Sequence, residues 1–474
     1  MNELAKASAS RALRTFPRLL ISVICILVAF VTARLLHERK IAPISSVLPK
    51  TNITVLTPTA ILNQLPTADI QSVTGKVLAA ALLKTRNYPS EAQNWILLGD
   101  TFAQLQRETE DSCYFDAAGT VYTEALRLAS KNANALAGMA WVTGGKHQFE
   151  QSIAWGNQAL GVDPECVEAL GILGDAALEL GHYDDAFKNY QKMMDLRPDL
   201  SSWSRGAHLL WLTGEVNQAK ILMGKAIAAG APFAENTGWC RIRMATMLFY
   251  EGAIPPAEDA IRPLLKLGSK NSHLLLLAAH IAAAKGDMAL AEEYYHSLLV
   301  SGPNQHASAG LGDLMAAQGK TEEAERHYQT VESLHTSLLK KGGHDHGFMA
   351  KFLADHDRNL LEALQMAEEH KLTNNVQEID TLAWVYYKNK MMPQAIDAIK
   401  RALRLNSPDP EIHYHAGMIA SGHGDFTSAR KHLEQALAMN SNFSLIQAPL
   451  AVAELLKLHQ RKAVTHAEAS ESTK

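Results

Sequence analysis

From about Ala68 to Leu458 the chain is a succession of short apolar stripes at helical spacing, separated by brief polar breaks. Leu170, Leu173 and Gly174 form one stripe, and Ala186 and Tyr190 form the next. Spacings of three and four residues put apolar positions on one face of a helix. The breaks follow a rule of their own. A turn glycine or lysine precedes a small residue by five positions at Gly181–Ala186, Gly214–Ala219, Gly252–Ala257, Gly286–Ala291, Gly319–Ala324, Lys390–Ala395 and Gly424–Ala429. Successive alanines stand 33, 38, 34 and 33 residues apart from Ala186 to Ala324, and 34 apart from Ala395 to Ala429. Pro164 and Pro198 repeat the interval of 34. A first helix that must reverse direction needs a left-handed residue at its end. The returning helix needs a small side chain where the two backbones cross, and proline then stops it. Periods of this length belong to stacked helix pairs, each too thin to bury its own apolar face.

The segment Val167–Leu200 carries Leu170, Leu173, Gly174, Ala186, Tyr190 and Pro198 in order. Trp95, Leu98, Gly99 and Phe102, followed by Ala118, Tyr122 and Ala125, form another unit with an insertion near residues 107–111. Partial copies occur at Ala140–Pro164, Leu311–Tyr328 and His413–Ala436, with a weaker one around Ala363. This pattern resembles the tetratricopeptide repeat family, and about ten units fit between Glu91 and Asn442. The resemblance implies an all-α fold: a right-handed α-solenoid of about ten helix pairs, occupying residues 68–458. Its first helices would line a concave groove that receives peptides or other proteins. The groove positions it implies are Asp100, Trp141, Asp175, His208, Trp211, Asp313, Trp384 and Tyr387, with His280 and Met418 at equivalent places. Trp141 and Trp384 have an alternative use, packing between neighbouring pairs. The Lys/Asn clamp by which one variant of the family holds a C-terminal carboxylate is missing, since the matching positions read Ile96/Asp100, Ala137/Trp141, Gly171/Asp175 and Ala309/Asp313. The repeat order looks like that of uncharacterised bacterial membrane-anchored tetratricopeptide proteins, which implies a bacterial source.

The N-terminus is built differently. Residues 1–18 are basic, 19–36 are apolar, and Leu19–Ala33 contains no charge. Fifteen helical residues rise about 22 Å, and continuing to Leu36 approaches a hydrocarbon core of roughly 30 Å. Two readings stand: a single-pass anchor, or a secretory signal cut after Val31-Thr32-Ala33. Both place the repeats in the periplasm or outside the cell. Pro43, Pro49, Pro58 and Pro66 make residues 37–67 a linker. Residues 459–474 lose periodicity and read as a mobile tail.

Charge narrows the partner class. Residues 1–40 hold seven Lys/Arg against two Asp/Glu, a balance of +5 that leaves −9 for the rest of a chain whose net charge is −4. A body that acidic repels phosphate backbones, so nucleic acid is not an expected partner. The expected partners are other proteins or peptides, with the membrane engaged through the N-terminal helix.

Motifs for catalysis are missing. There is no Gly-x-x-x-x-Gly-Lys loop, Gly-x-Ser-x-Gly elbow or His-Glu-x-x-His helix. No enzyme activity, cofactor, metal site or small-molecule substrate is expected. Cys25, Cys113, Cys166 and Cys240 have neither a disulfide framework nor a zinc spacing. Histidines gather late, at His344, His346, His356, His413, His415 and His423. They read as solvated turn and helix-cap residues, because His413 and His415 splay by about 200° on a helix. Two function classes follow. The chain is a membrane-tethered scaffold binding proteins through its groove, or a regulatory or metal-handling accessory subunit of a membrane enzyme that uses the late histidines.

Overall fold

A computed structural model of the chain describes residues 71–232, 234–340 and 345–471, with side chains through Arg461. The basic lead, the apolar segment 19–36 and the linker 37–67 lie outside the described residues. The described residues belong to one compact unit. Within it the described residues form 22 α-helices, one short 3-10 turn and no strands.

The helices run in chain order as α1 (Val73–Asn87), α2 (Ala92–Thr109), α3 (Cys113–Leu128), α4 (Ala133–Gly145), α5 (Phe149–Val162), α6 (Val167–Glu179), α7 (Tyr183–Leu196) and α8 (Leu200–Leu212). They continue as α9 (Val216–Ala229), α10 (Glu235–Tyr250), α11 (Ile254–Lys266), α12 (Ser272–Ala284), α13 (Met288–Val300), α14 (Gln305–Ala317) and α15 (Thr321–Lys340). The last are α16 (His346–Asp355), α17 (Leu360–Glu369), α18 (Val376–Lys388), α19 (Met392–Ala402), α20 (Pro410–His423), α21 (Phe426–Met439) and α22 (Gln447–Glu471). From α2 to α21 they pack as ten consecutive pairs, with α1 before and α22 after.

Local chemistry sets the boundaries. Asn132, Asp199, Asn271, Asn304, Asn375 and Asp409 each cap the first helix of a pair, accepting from a backbone N–H in its first turn. The second helix of every pair crosses its partner at a small residue. These are Ala118, Ser152, Ala186, Ala219, Ala257, Ala291, Ala324, Ala363, Ala395 and Ala429, none more than 2% exposed. The unit around Ala363 is a full pair with both helices shortened to 10 residues. Gly174 serves the same close packing, because a Cβ there would lie 2.2 Å from the Tyr190 ring.

Two features differ from the sequence expectation. α22 continues past Leu458 to Glu471, where lost periodicity pointed to a tail. That stretch is rich in Ala, Glu, Lys and Gln, so helix propensity holds without an apolar stripe. The second is a closure. The array coils far enough for the turn inside one pair to meet the loop between two much later pairs. Asn375 donates to the Glu179 carbonyl at 3.1 Å, and the Tyr183 hydroxyl accepts from the Val376 amide at 3.0 Å. Asn440 donates to the Phe249 carbonyl at 2.7 Å. The turn glycines Gly181, Gly214 and Gly252 face Asn374, Asn406 and Met439 across this seam.

Two glycines separate the demands of the turn from those of the seam. Gly181 and Gly286 both have left-handed backbones, at φ 71° and 83°. A Cβ at Gly181 would sit 2.0 Å from the Asn374 carbonyl carbon, whereas one at Gly286 would meet nothing within 4 Å. Gly286→Ala is expected to cost about 1 kcal/mol, the price of a left-handed alanine. Gly181→Ala is expected to cost about 3 kcal/mol and to part the seam, seen as a larger radius of gyration in small-angle scattering. Equal costs with unchanged radii would show that the seam does not constrain Gly181.

Candidate functional site

The inner positions carry a ladder of carboxylates held from behind. The Tyr122 hydroxyl donates to Asp100 at 2.8 Å, Tyr190 to Asp175 at 2.8 Å and Tyr328 to Asp313 at 3.0 Å. Each tyrosine comes from the second helix of the pair that carries the aspartate, so one geometry recurs in three pairs. Two of the aspartates also bind the following repeats. Arg205 reaches Asp175 through Nε and Nη2, both at 2.9 Å, and His356 Nε2 lies 2.7 Å from Asp313. Burial opposes protonation of His356, but the Asp313 carboxylate prevails and holds it above the ordinary histidine value.

The aromatic positions divide. Trp211 is 2% exposed and stacks on Tyr250 at 5.4 Å. Trp384 is 3% exposed and stacks on His415 at 4.4 Å. Both indoles are packed between pairs. For Trp384 that is the alternative left open by the sequence, and neither ring is a surface that a partner reaches in this state. Trp141 is half-buried against Phe115, at 4.9 Å. His208 is half-buried beneath Arg243. Asp100 is exposed, Asp175 and Asp313 are half-buried, and Tyr387 is half-buried on Trp384 at 5.2 Å.

A buried polar centre lies beside Trp384, and sequence reasoning missed it. Asp355 accepts from Trp384 Nε1 at 2.9 Å, Gln447 Nε2 at 2.6 Å and Lys351 Nζ at 2.7 Å. Lys351 also faces Glu411 at 3.4 Å. Burial disfavours its charge, yet Asp355 and Glu411 hold the ammonium well above the ordinary lysine value. Burial and the neighbouring Glu411 and Asp380 push the Asp409 carboxyl up to about 7. These groups come from α16, α18, α20 and α22, so the cluster ties the last helix to three inner helices.

Next to it a cavity of about 440 Å³ opens between α18, α20 and α22. Tyr387, Met418 and Phe426 supply its apolar lining, and Glu454, Lys457 and Arg461 supply charge from α22. Ser421 donates to Glu454 at 2.5 Å, and Lys457 lies 3.1 Å from the same carboxylate. Burial alone would raise the Glu454 carboxyl, but these two donors bring it below its ordinary range. The Arg461 guanidinium lies over the Phe426 ring at 4.9 Å. Of the positions drawn from the sequence, this groove brings together Tyr387 and Met418. The residues contributed by α22 carried no repeat signal.

His344 lies outside the described residues, and the late histidines within them do not converge. Among the described residues no three His, Cys, Asp or Glu side chains are placed to hold one metal ion. His413 and His415 are 3% and 0% exposed, which corrects the expectation of solvated histidines. They face opposite ways: His415 Nδ1 lies 2.8 Å from Asp380, and His413 Nδ1 lies 3.1 Å from His432 Nδ1. Cys113, Cys166 and Cys240 are free thiols. No described helix is long and apolar enough to cross a membrane.

Ten stacked helix pairs with a grooved inner face define an α-solenoid. The chain carries tetratricopeptide repeats: the pattern of the tetratricopeptide repeat family matches residues 139–201, 276–335 and 381–442. It is similar to the cytochrome c-type biogenesis protein CycH of Pseudomonas aeruginosa, 31% identical over 111 residues, covering 23% of this chain and 26% of that protein. It is also similar to the formate-dependent nitrite reductase complex subunit NrfG of Escherichia coli O157:H7, 27% identical over 166 residues, covering 34% of this chain and 73% of that protein. The chain thus spans about a quarter of the first relative's length. Among solved structures, the APC/C hetero-tetramer Cut9-Hcn1 aligns at 16% identity and a TM-score of 0.39, covering 82% of this chain and 84% of that one.

Buried His413, paired with half-buried His432, gives this end of the array an acid sensitivity. Burial, with His432 adding to it, lowers His413 to about 4. The unfolded chain protonates this residue near its ordinary value of about 6.5, before the folded chain does. The stability that His413 contributes is therefore full above that value and falls as the pH drops from there toward 4, by about 2 kcal/mol. Urea unfolding at pH 7 and pH 4.5 is expected to show a change in stability between the two pH values that is about 2 kcal/mol less favourable to the wild type than to His413→Leu. Equal pH slopes would remove His413 from the account.

Proposed function

We propose that this protein is a scaffold for protein–protein interaction whose docking site is the groove between α18, α20 and α22. One observation carries the reading. Helices α18, α20 and α22, with Phe426 at the start of α21, leave a cavity of about 440 Å³ in which Tyr387, Met418 and Phe426 stand beside Lys457 and Arg461. Apolar anchors ringed by charge suit a polypeptide segment, because the anchors supply affinity and the charges select and orient. The groove is braced by the Asp355 cluster, so the receptor orders little on binding. Exposed or half-buried inner positions at Asp100, Trp141, Asp175, His208 and Asp313 would extend the contact along the array.

A second reading, that the scaffold works as an accessory subunit of a multi-protein enzyme, is favoured by the two relatives. One is named for cytochrome c-type biogenesis and the other as a subunit of a nitrite reductase complex. The basic and apolar segments at 1–18 and 19–36 support tethering at a membrane, with the repeats in the periplasm or outside the cell.

Site-specific photo-crosslinking of the full chain in its native host tests the docking site. A crosslinker replacing Met418 is expected to capture discrete polypeptides. One replacing Phe187, 54% exposed on α7, is expected to capture few. Adding Tyr387→Ala is expected to cut the Met418 yield about tenfold, as loss of an aromatic anchor does. The same adducts in the same yield from both positions would refute the groove.

A further inference from the structure

Arg243 on α10 lacks the counter-charge that its counterpart on α8 has. Arg205 on α8 reaches back to the inner carboxylate of α6, and Asp175 accepts from its Nε and Nη2, both at 2.9 Å. Arg243 makes the same reach from α10 to the inner position of α8, but that position is His208. Its Nη2 donates to His208 Nδ1 at 2.5 Å. Burial, together with Arg243 itself, drives His208 well below its ordinary value, so the imidazole is neutral and offers a lone pair without a charge. The guanidinium also lies 5.7 Å from the centre of the Trp239 ring, and that indole is 38% exposed. Arg243 Nε is buried without a partner. Burial brings the Arg243 guanidinium below its ordinary value, Tyr250 and Glu179 offset this only in part, and among the described residues no carboxylate pairs with it.

Guanidinium stays charged at any physiological pH and is built to take a carboxylate on two parallel N–H groups. An inner-face arginine held in place by a neutral imidazole and an aromatic ring is therefore a fork without its ligand. The repeat supplies the internal comparison: the same reach meets a carboxylate one pair earlier. We propose that Arg243, seated between His208 and Trp239, is an anion-binding position that takes the side-chain carboxylate of an acidic residue in a docked polypeptide. The ligand would then supply to Arg243 what Asp175 supplies to Arg205. This rests on the scaffold reading and adds to it the chemistry of the partner, an acidic residue bound several repeats before the apolar anchors of the terminal groove.

The test uses acetyl-hexaglutamate as the probe, titrated calorimetrically into the full chain at low salt, so it needs no native partner. Arg243→Gln is expected to weaken binding about tenfold, and Arg243→Lys by less, because it keeps the charge and loses the fork. His208→Asp is expected to fill the position from within: probe binding falls as far as in Arg243→Gln while Tm rises. Lys131→Gln, at an exposed position between α3 and α4, is expected to leave binding within about twofold, the scatter of a distant independent site. Circular dichroism identifies any variant that fails to fold, and the rise in Tm of His208→Asp keeps the test decisive in that event. Undiminished binding by both Arg243→Gln and His208→Asp would overturn the proposal, as would an unchanged Tm in His208→Asp. Inorganic phosphate that displaces the probe at lower concentration than glutarate does would overturn the carboxylate assignment. Failure of the crosslinking experiment with this titration intact would instead fault the scaffold reading.

Discussion

The close approach of two backbones at a small residue governs this structure. Each second helix brings an alanine, or in α5 a serine, against its partner with almost no exposure. A larger side chain at that point would push the helices apart, and the next pair would find no flat surface to stack on. Because ten pairs repeat the contact, small errors would accumulate along the array. The inner face inherits its regularity from this spacing. In three pairs the tyrosine of the second helix reaches the aspartate of its first helix because the two lie so near, as Gly174 beneath the Tyr190 ring illustrates.

This regularity explains why much of the architecture was legible in the sequence. The glycine-to-alanine interval of five residues and the period near 34 express the turn and the crossing, so the pairs could be counted before any coordinates. Even the faint unit around Ala363 is present, shortened at both helices. The site was less legible, for three physical reasons. Repeat register says which residues face inward but not whether something already covers them, and Trp211 and Trp384 are covered. The Asp355 centre joins four helices over nearly a hundred residues, from Lys351 to Gln447, and no local pattern marks such a meeting. The terminal groove takes one wall from α22, whose sequence has left the repeat.

The inner face is electrically uneven. Toward the C-terminal pairs, Asp355, Asp380 and Glu411 gather around Lys351, and Asp409 nearby is raised by burial and by the like charges of Glu411 and Asp380. Toward α8 and α10 the balance reverses at Arg243. Those carboxylates are largely buried, so a segment lying along this surface would meet Lys457 and Arg461 beside apolar anchors in the terminal groove and Arg243 several repeats earlier.

The seam between Gly181, Gly214 and Gly252 and the later loops changes how the molecule can come apart. An open array of repeats behaves as a one-dimensional chain of neighbours, and its ends fray independently. Here Asn375 grips Glu179 and Asn440 grips Phe249, each across more than 190 residues of chain. Melting any middle pair must therefore release a clasp that belongs to a remote part of the sequence. Such bonds join the two halves into a common unfolding unit, and they slow assembly, since the last clasp closes only after the intervening pairs have stacked.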